Sequence, residues 1–99
     1  MAALHYTEDF QIDLQRLLDF FLTGHPEDAD GLVELILDGL ETLQQHPGIG
    51  RIFNNGLREL VISRGKSGYL ALYEYNPVLD RVDILRIRHQ RESGYRMIE

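Results

Sequence analysis

His89, Tyr95, Lys66, Arg88 and Arg91 are the side chains of this sequence whose types suit chemistry at a phosphodiester. Cleavage through a neighbouring 2′-hydroxyl needs a proton acceptor, a donor for the leaving oxygen and cations for the charged phosphorane. His89 and Tyr95 are the candidates for proton transfer, and Lys66, Arg88 and Arg91 are the candidate cations. The plain alternative for His89 is a strand-end imidazole satisfied by one hydrogen bond. Tyr69, Tyr73 and Tyr75 read as packing residues rather than as stacking platforms for bases.

Charge is distributed unevenly around these residues. Residues 1–45 hold ten acids and one base, Arg16, whereas residues 46–99 hold six acids and nine bases. Eight of those nine bases are arginine, whose planar fork pairs bidentately with carboxylates and phosphates. The C-terminal half is therefore the one suited to an anionic partner, within a chain whose net charge is -6. The absence of cysteine excludes disulfides and thiolate metal sites. His5, His25, His46 and His89 have no metal-ligand spacing, and no cofactor is implied. No apolar run approaches the ~20 residues of a membrane span, and the N-terminus lacks a signal-peptide pattern, so a cytoplasmic protein is expected.

The elements that must position these residues follow from hydrophobic period. Thr7 can cap a helix with Glu8 and Asp9 in its first turn, and Phe10, Leu14, Leu17, Leu18 and Phe21 form one helical stripe. Gly24 ends that helix, and Pro26, with Glu27, Asp28 and Asp30, suits the start of a second. Its stripe runs from Ala29 through Leu32, Val33, Ile36, Leu37 and Leu40 to Leu43. Gly31 and Gly39 inside it suggest close approach by a neighbouring element. From Pro47 the period changes to two, which predicts strands over Leu57–Ser63, Gly68–Tyr75 and Arg81–His89, with short connections at 64–67 and 76–80. Leu4–Tyr6 is a first short strand. The expected fold is α+β with order βααβββ, a helical hairpin packed on an antiparallel sheet in a single domain spanning residues 1–99. In the last strand, alternation places Val82, Ile84, Arg86 and Arg88 on one face and Asp83, Leu85, Ile87 and His89 on the other.

Four segments carry a specific likeness: Pro47-Gly48-Ile49-Gly50-Arg51, Leu57-Arg58-Glu59-Leu60, the tyrosine-rich run Tyr69–Tyr75, and Ile84-Leu85-Arg86-Ile87-Arg88-His89-Gln90-Arg91. In this order and spacing they resemble the RelE/ParE toxin superfamily. The resemblance implies a type II toxin that slows growth when free and is silenced by a cognate antitoxin wrapped around it as an extended segment, giving a hetero-oligomer. It also singles out Arg58, Arg86, Arg88 and Arg91 as partner-binding candidates, with Arg58 and Arg86 alternatively tied to buried carboxylates such as Glu59 or Glu74.

Two targets fit the resemblance. ParE-like members bind DNA gyrase, whereas RelE-like members cleave mRNA on the ribosome, where His89, Tyr95, Lys66, Arg88 and Arg91 would act. A ligand of ribosomal RNA generally carries a strongly basic surface. The acidic total and the single lysine therefore favour gyrase.

Overall fold

Thr7 ties the first strand, the first helix and the last strand together. Its hydroxyl accepts from the Phe10 amide at 3.2 Å, capping a helix, and donates to the Ile84 carbonyl at 2.8 Å. That helix is α1 (Glu8–Gly24), and the strands it joins are β1 (Ala3–Tyr6) and β5 (Arg81–His89). The computed structural model describes residues 1–24, 29–64 and 67–95. Lys66, His25 and the expected helix start at Pro26, Glu27 and Asp28 lie outside the described residues.

The second helix, α2 (Ala29–Gln45), is followed by β2 (Arg51–Ile52), β3 (Leu57–Arg64) and β4 (Ser67–Asn76). The α+β class and the βααβββ order hold, with β2 added; a two-residue strand is too short to leave a period in the sequence. The five strands run in the order β1-β5-β4-β3-β2. Every neighbouring pair is antiparallel except β1 with β5, which is parallel. The expected helical hairpin on an antiparallel sheet is present, with β1 added as a parallel edge strand. The helical hairpin carries the chain from one sheet edge to the other, which leaves β1 beside the last strand and pointing the same way.

Phe10 and Leu17 of α1 and Leu32, Ile36, Leu40 and Leu43 of α2 pack against Leu60, Ile62, Tyr69, Ala71, Tyr73, Val82, Ile84 and Ile87 of the sheet. The helix residues among these belong to the stripes read from the sequence, while Val33 and Leu37 stay outside the buried cluster. A Cβ on Gly39 would lie 2.9 Å from Ile62 Cγ1, so the glycine lets α2 settle onto β3.

Alternation along β5 does not persist. Tyr73 pairs with Ile84 but Leu72 pairs with Arg86, so Leu85 is an extra residue in the strand. This β-bulge resets the two-residue period. Val82, Ile84 and Ile87 consequently share the helix-covered face, contrary to the grouping of Ile87 with Asp83 and Leu85. His89, paired with Tyr69, follows Ile87 onto that face, while Arg88, paired with Leu70, points to the other.

Candidate functional site

The turn after α2 is built as a knot around Tyr73. Its hydroxyl donates to the Pro47 carbonyl at 2.8 Å and accepts from the Gly50 amide at 2.9 Å, and the ring is fully buried. A Cβ on Gly50 would meet that ring at 2.7 Å, which explains why a glycine stands there. Arg58 Nη1 closes the knot by donating to the Gly50 carbonyl at 2.8 Å. Tyr69 and Tyr73 are core residues, and Tyr75 is half-buried with its hydroxyl on Asp80, 2.8 Å away.

On the face away from the helices, Glu59 is 3% exposed. Arg51 Nε donates to its Oε1 at 2.9 Å, and the Tyr95 hydroxyl donates to its Oε2 at 2.6 Å. The Arg88 guanidinium lies over the Tyr95 ring, 5.1 Å from the centroid, and Phe53 meets that ring edge-on at 6.0 Å. Burial alone would push the Glu59 carboxyl up. The hydrogen bonds from Tyr95 and Arg51 and the charges of Arg51 and Arg88 outweigh burial and hold it below the usual carboxylate range. Burial, reinforced by the hydrogen bond to Glu59 and its charge, drives the Tyr95 hydroxyl far above the ordinary tyrosine value. A phenol held in this way stays protonated at neutral pH.

A pH dependence follows from Glu59. Folding lowers this carboxyl, so its stabilising contribution is fully present above the unfolded value of about 4.3 and disappears as pH falls through the lower folded value. Glu59→Gln should lower the melting temperature most near neutral pH, and its gap to wild type should narrow steadily below about pH 4. Thermal melts across that range check this, and a gap independent of pH would contradict it.

Arg86 is committed to the fold. Its Nε and Nη2 donate to the two oxygens of Asp13 at 2.7 and 3.1 Å, and the Ile87 amide donates to the same carboxylate at 3.1 Å. The carboxylate partner expected for it, Glu59 or Glu74, is thus corrected to Asp13 of α1. Arg58 and Arg86 bind the protein's own groups, and Arg88 donates to the Glu92 carbonyl at 2.6 Å beneath its stack with Tyr95. Arg16 pairs with Glu92 at 2.8 Å and Arg81 with Asp83 at 3.1 Å. Among the arginines whose side chains are described, Arg91 alone has a guanidinium with no hydrogen bond or ion pair. Of the partner-binding candidates, Arg58, Arg86 and Arg88 thus meet groups of the protein itself.

Arg91 opens onto a groove of about 540 Å³ where the end of β5 meets the second half of α1. Leu17, Phe20, Phe21, Tyr69 and His89 line it, and Phe20 is 73% exposed. His89 Nδ1 accepts from the Arg91 amide at 3.1 Å, and its ring meets Tyr69 edge-on at 5.2 Å. That bond leaves the proton of the neutral ring on Nε2.

A family model described as the ParE toxin of the type II toxin-antitoxin system parDE matches residues 4–94. The chain belongs to the ParE toxin family. Toxin RelE3 of Caulobacter vibrioides is 41% identical over 80 residues, covering 81% of this chain and 85% of that one. A solved chain of the chromosomal ParDE system of P. aeruginosa superposes with a TM-score of 0.75 at 28% identity, covering 90% of this chain and 96% of that one. A chain of the RelBE2 toxin-antitoxin complex of Mycobacterium tuberculosis shares the fold, with a TM-score of 0.58 at 22% identity, covering 90% and 98% of the two chains.

In this ParE-family toxin the sequence candidates among the described residues do not converge. His89 and Arg91 stand at the α1 groove, whereas Arg88 and Tyr95 stand with Glu59 on the opposite sheet face. The sequence reading missed Asp13, Arg51 and Phe53. An acid inside an apolar helical stripe, as Asp13 lies between Phe10 and Leu17, was the available signal. Among the described residues no group of three His, Cys, Asp or Glu could hold a metal ion, and no helix is long and apolar enough to cross a membrane.

Proposed function

We propose that this toxin acts by binding DNA gyrase in the cytoplasm, without a hydrolytic step, and is neutralised by a cognate antitoxin in a hetero-oligomer. The separation of His89 from Tyr95 across the sheet carries this reading. General acid-base cleavage needs both proton-transfer groups within hydrogen-bond reach of one phosphodiester. Tyr95 is instead engaged with Glu59, and the tyrosine ring against His89 is that of the buried Tyr69. The ribosome-dependent mRNA endoribonuclease is the alternative, favoured by the RelE name of the Caulobacter relative. Among the described residues it would have to rely on His89 with Arg91. The ParE family match and the ParDE structural relative support the gyrase reading.

Purified protein should inhibit gyrase supercoiling or stabilise the cleaved DNA complex, and should leave mRNA on ribosomes intact. Codon-position-specific cleavage in a translation extract would overturn this. Within the binding reading, Arg91 is the arginine free to meet a target among those whose side chains are described, so Arg91→Glu should weaken inhibition roughly tenfold or more, with a larger loss at low salt. Dose-response curves at two ionic strengths check it; an unchanged curve would remove Arg91 from the interface.

A further inference from the structure

Phe20 stands 73% exposed on the second half of α1, and Leu22 is 54% exposed two residues further on. The Phe20 ring is nevertheless held in place, edge-on to Phe21 with the centroids 6.1 Å apart. Leu17 and the half-buried Phe21 carry the apolar surface from Phe20 to the core, along the groove of about 540 Å³ at the end of β5. An aromatic ring left in water forfeits the gain of burial. A fixed apolar wall beside an open groove is the kind of surface on which binding energy concentrates.

Charge at the mouth of the groove is of one sign. Arg16 and Glu92 neutralise each other there at 2.8 Å, which leaves the Arg91 guanidinium, unpaired among the described residues. Asp19, next to Phe20, does not line the groove and accepts from Gln15 at 2.9 Å. The helices elsewhere are acidic: α2 carries Glu34, Asp38 and Glu41 with no base, and α1 opens with Glu8 and Asp9. On such a chain this mouth is a local cationic exception, so it draws an acidic segment and repels a basic one.

We propose that this groove is the toxin's grip on its target: an exposed segment of gyrase sets an apolar side chain against Phe20 and Phe21, with a neighbouring carboxylate on Arg91. This rests on the gyrase-binding reading and names the surface responsible for it. An apolar anchor seated in a groove, with a charge at the rim, lets a few residues supply most of an interface's affinity. The Arg91 fork suits a carboxylate bidentately. His89 contributes wall rather than a proton. A second copy of this chain fits poorly, because a two-fold contact through the groove brings Arg91 up to the Arg91 of the other copy.

Replacing an exposed ring costs the fold little, so Phe20 is the position to vary. Phe20→Ser, Phe20→Glu and Phe20→Lys are compared by dose-response in gyrase supercoiling, with thermal melts and antitoxin pull-down alongside. Phe20→Ser should weaken inhibition roughly tenfold or more and leave the melting temperature within a few degrees of wild type. Phe20→Glu should be about tenfold weaker than Phe20→Lys, and the gap should shrink as salt is raised. Both charged variants lose the same ring, so the gap reads the sign of the partner's charge whatever the ring does for the fold. Equal loss in the two charged variants overturns the acidic segment. Unchanged inhibition by Phe20→Ser and Phe20→Glu overturns the groove and leaves the gyrase reading standing. Weaker antitoxin binding with gyrase inhibition intact assigns the groove to the antitoxin and overturns the proposal. A wild-type dimer that Phe20→Ser dissolves, with inhibition intact, assigns it to a second copy and does the same. No inhibition of gyrase by the wild type overturns both the groove and the gyrase reading.

Discussion

Asp13→Ala should destabilise the fold by about 3 to 5 kcal/mol, enough to unfold much of a domain of this size at 37 °C. The carboxylate is 2% exposed and accepts three hydrogen bonds, two from Arg86 and one from the Ile87 amide. Removing it leaves a guanidinium whose side chain is only 15% exposed without its hydrogen-bonded carboxylate, and a buried amide without an acceptor. The bulge at Leu85 interrupts regular pairing just before Ile87, so the Asp13 carboxylate takes a place that strand alternation leaves unfilled. The cost comes mainly from the stranded partner rather than from the pair itself. Asp13→Leu combined with Arg86→Met should therefore recover most of the loss, because it removes both charges together. Urea unfolding of the three variants measures this, and a loss below about 1 kcal/mol for Asp13→Ala would contradict the structural role given to the pair.

The sequence made the fold legible wherever a local signal repeated. Thr7 announced the helix start through its cap, the stripes from Phe10 to Phe21 and from Leu32 to Leu43 marked the buried helix faces, and Gly39 announced the close packing that Ile62 completes. The three long strands were visible as runs of period two. Interactions that act at long range left weaker traces. Asp13 meets Arg86 across 73 positions, and only its place inside an apolar stripe hinted that it was buried. The parallel pairing of β1 depends on where the helical hairpin delivers the chain, which no local pattern encodes. The bulge mattered most for the site. One extra residue at Leu85 exchanges the faces of everything after it, so the arrangement of His89, Arg88 and Tyr95 depended on a feature that strict alternation could not supply. The four family motifs proved to be largely structural: Pro47, Gly50, Arg58 and Tyr73 form one knot, and Arg51, Glu59, Tyr95 and Arg88 another.

That division of His89 and Tyr95 between two sheet faces makes a direct test available. In a nuclease, the double change His89→Ala with Tyr95→Phe would remove both proton-transfer groups and lower the rate by roughly 10² to 10⁴, abolishing growth arrest at ordinary expression. In a toxin that works by occupying its target, neither group transfers a proton. Tyr95→Phe then costs one hydrogen bond to Glu59, and His89→Ala costs packing against Tyr69. The measurement is growth arrest by the double variant, shown by circular dichroism to be folded and by pull-down to bind its antitoxin. Arrest within a few-fold of wild type is the expected result. Complete loss of arrest in that folded, antitoxin-bound variant would contradict the binding mechanism and restore the ribonuclease reading.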